Sequence, residues 1–276
     1  MNFELSEEQR MIQQSVERFV EDNYDLNSRV ALSSKSPGFS TENWHSMAEL
    51  GWLGLPFEEE DGGFGGNQID VLVVMEQFGR GLVLEPYLAS IVMGGGALKR
   101  GGTDALKSEI LPQVIEGTLQ LAFAYAEEQS RFDLDDVMTS ARKEGENFVL
   151  NGQKSMVQNA ETADKIVVSA RTSSGQVSPQ GITLFLIDAD AEGLSRDNFP
   201  TVDGLRASEI TLENVSVGPD RILGEVDQGF SILQSVANDA MLALSAEAVG
   251  AMEVLYKDTV DYTQQREQFD HPLSEF

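Results

Sequence analysis

The sequence predicts an α+β protein in three stretches: a helical bundle, a small β-barrel or β-sandwich, then a further long helix. Three observations carry this. From Ser6 to about residue 118 apolar residues recur at helical spacing. From Leu119 the pattern changes to short β-rich runs separated by Gly, Asn, Asp and Pro. From Phe230 to about Gln265 the helical period returns with no breaker stronger than Gly250.

In the first stretch, Ser6-Glu-Glu-Gln9 fits a capping box, with Ser6 as N-cap and Gln9 reaching back. Met11, Ile12, Val16, Phe19 and Val20 then share one face. Thr41 starts a helix carrying Trp44 and Met47, which Gly51 stops. Glu60-Asp-Gly-Gly-Phe-Gly-Gly66 reads as a loop. Ile69 to Phe78 reads as an apolar helix ending at Gly79. Thr103 caps another, which Pro112 bends or ends. The strands expected next are Leu119–Tyr125, Phe148–Leu150, Lys165–Ala170, Ile182–Ile187 and Glu209–Leu212. The long helix carries Leu233, Val236, Met241, Leu244, Val249, Met252 and Leu255.

Composition narrows the function. The chain has 276 residues, enough for about two domains. It has no apolar run near the ~20 residues of a membrane span. Met1-Asn-Phe-Glu-Leu lacks a basic, then apolar, signal sequence. Cys is absent, which excludes disulfides, thiolate metal sites and Cys nucleophiles. The cytoplasm is the expected compartment. With 19 basic and 46 acidic residues the net charge is −27, which repels nucleic acid and anionic membranes. It also opposes a polyanionic ligand unless local cations intervene; adaptation to salt, or solubility alone, explains the charge equally well.

Several motifs lead nowhere. Glu58-Glu-Glu-Asp61 lacks an EF-hand pattern, and no metal is expected. Gly62-Gly-Phe-Gly-Gly66 and Gly94-Gly-Gly96 do not follow strands, so a Rossmann site is excluded. No G-x-S-x-G supports hydrolase chemistry.

Other motifs agree in order and spacing. They are Phe3-Glu-Leu-Ser-Glu-Glu-Gln9, Glu49-Leu-Gly-Trp-Leu-Gly-Leu-Pro56 with Asp61-Gly-Gly-Phe-Gly-Gly66, Glu76-Gln-Phe-Gly-Arg80, Leu111-Pro-Gln-Val-Ile-Glu-Gly117, Asn151-Gly-Gln-Lys154 and Arg266-Glu-Gln-Phe269. Together they resemble the acyl-CoA dehydrogenase family over essentially the whole chain. The resemblance implies an N-terminal helical domain over 1–118, a middle β-domain over 119–227 and the start of a truncated C-terminal helical domain over 228–276.

It also implies FAD, held weakly or shared with a partner subunit, an acyl-CoA substrate, a homo- or hetero-oligomer, and electron-transfer flavoprotein as redox partner. The ring-facing places fall on Phe123, Ala126, Phe132, Met156 and Gln158, where the family tends to carry Tyr, Thr, Ser, Trp and Thr. Gln158 retains a donor; a filled, non-functional pocket is the competing reading. Glu127 reads as a structural cap or loop acceptor. Arg266 and Phe269 match a pair that grips the flavin pyrophosphate and adenine of a neighbouring subunit, and guanidinium–phosphate chemistry suits this; an exposed Arg and a core Phe are the plain alternative. Asp270 replaces a Gly. Asn238 and Met241 match places touching acyl-CoA, with Met241 where the family has Arg. No catalytic residue is assigned. The base, a Glu, is expected beyond Phe276 or, in some members, near Ala240, where no carboxylate stands. Three readings stay open: a fragment of an ordinary enzyme, a degenerate or small subunit completed by a partner, and a non-catalytic acyl-CoA-binding or scaffolding homologue.

Overall fold

A computed structural model describes residues 4–276. Phe3, the first residue of the opening motif, lies outside them. The helices are α1 (Glu7–Asn23), α2 (Leu26–Ser33), α3 (Thr41–Glu49), α4 (Gln68–Gly81), α5 (Gly96–Gly101), α6 (Asp104–Ile115) and α7 (Phe230–Gln265). A π-helical segment, Tyr87–Gly95, leads into α5. The strands are β1 (Leu121–Ala124), β2 (Ser140–Glu144), β3 (Asn147–Gln158), β4 (Lys165–Arg171), β5 (Ile182–Asp188), β6 (Leu194–Pro200), β7 (Arg206–Val217), β8 (Ile222–Leu223), and the short pair β9 (Glu267–Gln268) and β10 (His271–Pro272). The α+β class is as expected. No helix among the described residues is long and apolar enough to cross a membrane.

The chain divides into two compact units. One takes in the chain through Leu26, Ile69–Val83 and Leu242–Phe276. Here Ser6 caps α1 as a full capping box, its hydroxyl accepting from Gln9 N at 3.1 Å. Val16 and Val20 are buried, whereas Met11, placed on the same face by periodicity, is 58% exposed. Gly79 does not end α4. It forms a notch: a Cβ there would lie 1.9 Å from the Glu247 carbonyl, and a Cβ on Gly250 would lie 1.8 Å from the Glu76 carbonyl. Two glycines thus let the backbones of α4 and α7 touch. Arg80, next to the notch, pairs with Glu253 at 2.9 Å and Glu17 at 3.6 Å.

The other unit comprises Asn27–Gln68 and Leu84–Met241. Ser40 caps α3, and Gly51 follows its end in the left-handed region at φ 82°. Pro112 neither ends nor visibly stops α6, which runs on to Ile115. Both Pro112 and Ser108 are exposed, so the carbonyl left without an amide partner meets water. The sheet runs β6-β7-β3-β2-β4-β5-β8, with β1 pairing parallel to β4. Its core gathers Ala122, Ala124, Leu150, Val157, Ile166 and Ile210, with the Phe148 and Phe185 rings tilted against each other at 5.3 Å. Leu121 and Phe123 take the other face of β1. The π-helical segment lies against them, Ser90 Oγ accepting from Leu121 N at 2.9 Å.

Candidate functional site

The site is built on a strand that changes sides. Along β3, Phe148, Leu150 and Lys154 point inward, at even positions. Pairing with β7 then slips between Lys154 and Val157, and afterwards the odd residue Val157 is buried. Such a bulge inserts a residue and re-aims its neighbours. Met156 sits in it at φ +54°, a left-handed conformation rare for a non-glycine residue. Glu209 on β7 holds it there: Oε1 accepts from Ser155 Oγ at 2.9 Å and Met156 N at 3.3 Å.

The bulge forms one side of an open rim. Ser155 N donates to the Ala126 carbonyl at 2.9 Å, joining β3 to the chain leaving β1. The Ala126 N–H and the Gln158 amide have no partner among the described residues. Met156 is 53% exposed and Phe132 97% exposed, so both lie at the surface and neither is a core residue. Phe123 is buried, 5.7 Å from the Tyr125 ring.

Beneath the rim lies a sealed ion pair. Lys154 Nζ donates to Glu127 Oε1 at 2.7 Å, Ser169 Oγ at 2.9 Å and Tyr125 O at 3.3 Å. Glu127 also accepts from Met138 N, Thr139 N and the Gln129 amide. Burial alone would raise the Glu127 pKa, but the Lys154 charge and these hydrogen bonds hold it below the usual carboxylate value. Burial pushes the Lys154 ammonium down to about 8, with Glu127 opposing. Arg171, at the end of β4, donates to four carbonyls, those of Ser178, Gln180, Asp135 and Gln176. It stitches the β4–β5 loop to the loop carrying Phe132.

Sequence reasoning missed Lys154, Arg171 and Glu209. For Lys154 a signal existed: counting in twos from Phe148 puts it on the buried face. Nothing local marks Glu209, whose role comes from pairing with a distant strand, and Arg171 finds its acceptors only once the loop after β4 folds back around it.

At the other predicted places, Arg266 follows directly on α7 and its guanidinium has no ion pair among the described residues. Phe269 and Asp270 form the two-residue turn of the β9–β10 hairpin, at φ +55° and +64°. These signs belong to a type I′ turn, which favours Asn-Gly. Phe269 is therefore strained and 87% exposed, its ring touched edge-on by Phe276 at 6.4 Å. On α7, Asn238 is exposed and Ala240 buried, while Asp239 pairs with Arg100 of α5. Met241 is 57% exposed, not a core residue.

Comparison with known proteins matches residues 6–118 to the acyl-CoA dehydrogenase N-terminal domain and residues 122–215 to the acyl-CoA dehydrogenase middle domain. The chain belongs to the acyl-CoA dehydrogenase family. Among its relatives is the probable acyl-CoA dehydrogenase YngJ of Bacillus subtilis (strain 168), 29% identical over 281 residues, covering 100% of this chain and 73% of the relative. Another is CarC, a subunit of the caffeyl-CoA reductase–Etf complex of Acetobacterium woodii, 28% identical over 99% of this chain and 73% of its own length. Among solved structures, PigA with FAD and proline superposes with a TM-score of 0.90 at 26% identity, covering 100% of this chain and 73% of that one. Within this acyl-CoA dehydrogenase scaffold, the bulge, the rim and the sealed pair all belong to the middle domain.

Proposed function

We propose that the chain forms part of an FAD-dependent acyl-CoA dehydrogenase, catalysing α,β-dehydrogenation of an acyl-CoA thioester, and that further polypeptide completes the site. The observation that carries this reading is the open rim. Its unpaired Ala126 N–H and Gln158 amide suit the polar edge of a flavin ring, and exposed Met156 offers a soft wall to its face. The residues present therefore fit the group, though with fewer side-chain contacts than the family usually provides. Arg266, which has no ion pair among the described residues, suits a diphosphate, and Phe269, exposed beside Phe276, suits a purine. When bound, FAD supplies the hydride acceptor. The chain's own residues orient the ring and, through Asn238 and Met241, border the thioester.

The base that takes the α-proton is supplied from outside this chain. Ala240, which the resemblance puts at the place of a carboxylate on α7, is buried, and Asp239 is committed to Arg100. A larger subunit of the same family, working with electron-transfer flavoprotein as electron acceptor, fits these gaps. A second reading, a non-catalytic acyl-CoA-binding or scaffolding homologue, is favoured by the loss of the cationic side chain at Met241.

Flavin absorbance of the purified protein, alone and with a candidate larger subunit, separates the two. The expected result is weak FAD binding by the chain alone, no dye-coupled dehydrogenation of short, medium or long acyl-CoA by it, and both properties restored by the partner. A yellow, stoichiometric complex that survives gel filtration alone overturns the shared-site reading. Turnover by the chain alone, abolished by a Glu→Gln change within it, shows that it carries its own base.

A further inference from the structure

We infer that the buried Lys154–Glu127 pair is the positioning element of the rim, fixing the backbone around Ala126 against the bulge at Ser155 and Met156. The inference rests on the flavin reading above. Lys154 brackets Ala126 on both sides: its ammonium bonds the carbonyl of Tyr125, one residue before, and the carboxylate of Glu127, one residue after. The same lysine immediately precedes Ser155, whose N–H closes the bracket on the Ala126 carbonyl. The unpaired N–H of Ala126 and the exposed face of Met156 are thus held in register by one side chain that is itself 0% exposed.

A sealed ion pair is a poor source of stability, because well-packed apolar groups often serve as well. The adjoining apolar core already holds the sheet together through Leu150, Val157 and Ile166. What the pair adds is direction: three fixed donors on the ammonium and four donors converging on the carboxylate specify one geometry. Lys154 and Glu127 reach no ligand themselves. They act through Ala126, Ser155 and Met156.

The charged and titratable groups around Lys154 are few. Glu127 faces it from the β1–β2 connection and Arg171 from β4, with Asp135 and Asp136 acting on Arg171 from beyond. The Tyr125 phenol, raised by burial, lies at the end of β1. Burial holds the Lys154 ammonium down to about 8, so the rim should loosen as pH rises through that value.

The experiment titrates the full chain with excess FAD, following flavin fluorescence at about pH 7 and about pH 9. It uses wild type, the double variant Lys154→Met/Glu127→Gln, and Phe148→Leu as a core control on the same strand. The double variant keeps an acceptor for Met138 N and Thr139 N and removes both charges. Wild type is expected to bind FAD more weakly at the higher pH. The double variant should melt cooperatively, bind about tenfold more weakly at pH 7, and lose the pH dependence. Phe148→Leu should lower the melting temperature and leave affinity and pH profile unchanged. Wild-type affinity and pH profile in the double variant, or a flat wild-type profile in folded protein, overturn the inference while the flavin reading stands. A wild-type chain with no flavin signal at any concentration overturns that reading and the inference with it.

Discussion

Glu85 precedes the π-helical segment at 5% exposure, its Oε1 accepting from Ser40 N at 3.2 Å and its Oε2 buried without a hydrogen bond. Burial raises its pKa from 4.5 to about 7, against the smaller lowering effect of backbone N–H groups at Glu85, Ser40 and Leu84. A folded value above the unfolded one means that the native state binds the extra proton. The stability this contributes is complete below about pH 4.5 and is lost as pH rises through about 7. Glu85→Gln should therefore raise the melting temperature at about pH 8 and lose that advantage at about pH 5. An equal shift at both values would show that Glu85 is already ionised in the fold. Phe269 poses the opposite case at the same scale. It occupies a left-handed turn position at a cost of order 1–3 kcal/mol and meets Phe276 edge-on.

At the scale of elements, the α4–α7 notch reverses an ordinary expectation. Gly→Ala inside a helix usually stabilises by about 1 kcal/mol. At Gly250 the added methyl would strike the Glu76 carbonyl, so Gly250→Ala should instead destabilise by about 1–3 kcal/mol, as overpacking does. Urea denaturation measures this, and a stabilised variant would show that the two helices are not in contact. Gly250 was visible in the sequence only as a weak interruption, and Gly79 looked like a helix end. Neither can be understood without its partner. Elements with strong local signals were legible: the capping box at Ser6, the αL stop at Gly51, the apolar runs of β4 and β5. Strand β6 was not, because Ser195, Asp197, Asn198 and Pro200 carry turn-like chemistry that suits an exposed edge. The site was legible in part. Resemblance offered Ala126, Met156, Gln158 and Phe123, but the outward aim of Met156 comes from the slip against β7, and the burial of Phe123 depends on what packs against its face of β1.

For the whole molecule, the telling surface is on α7. Met241, Leu244, Met252, Leu255 and Tyr262 follow one another at steps that keep a single stripe, and each is 47–65% exposed. Fully burying such a side chain is worth about 1.5–3 kcal/mol, before the entropy cost of association. A net charge of −27 slows unspecific collapse but does not cover that stripe. Sedimentation equilibrium at micromolar concentration should find self-association, strengthened by salt that screens the like charges, or a stable complex with a larger family member. A clean monomer with a melting temperature independent of concentration would contradict both.

The slip in β3 has an evolutionary consequence. On either side of it, at Lys154 and Val157, a substitution disturbs the packed interior and is filtered by folding. Inside it, Met156 answers to solvent. One strand therefore keeps two separate accounts of selection, and a lineage can rewrite the second without touching the first. A scaffold this recognisable can drift in its chemistry while its outline stays the same.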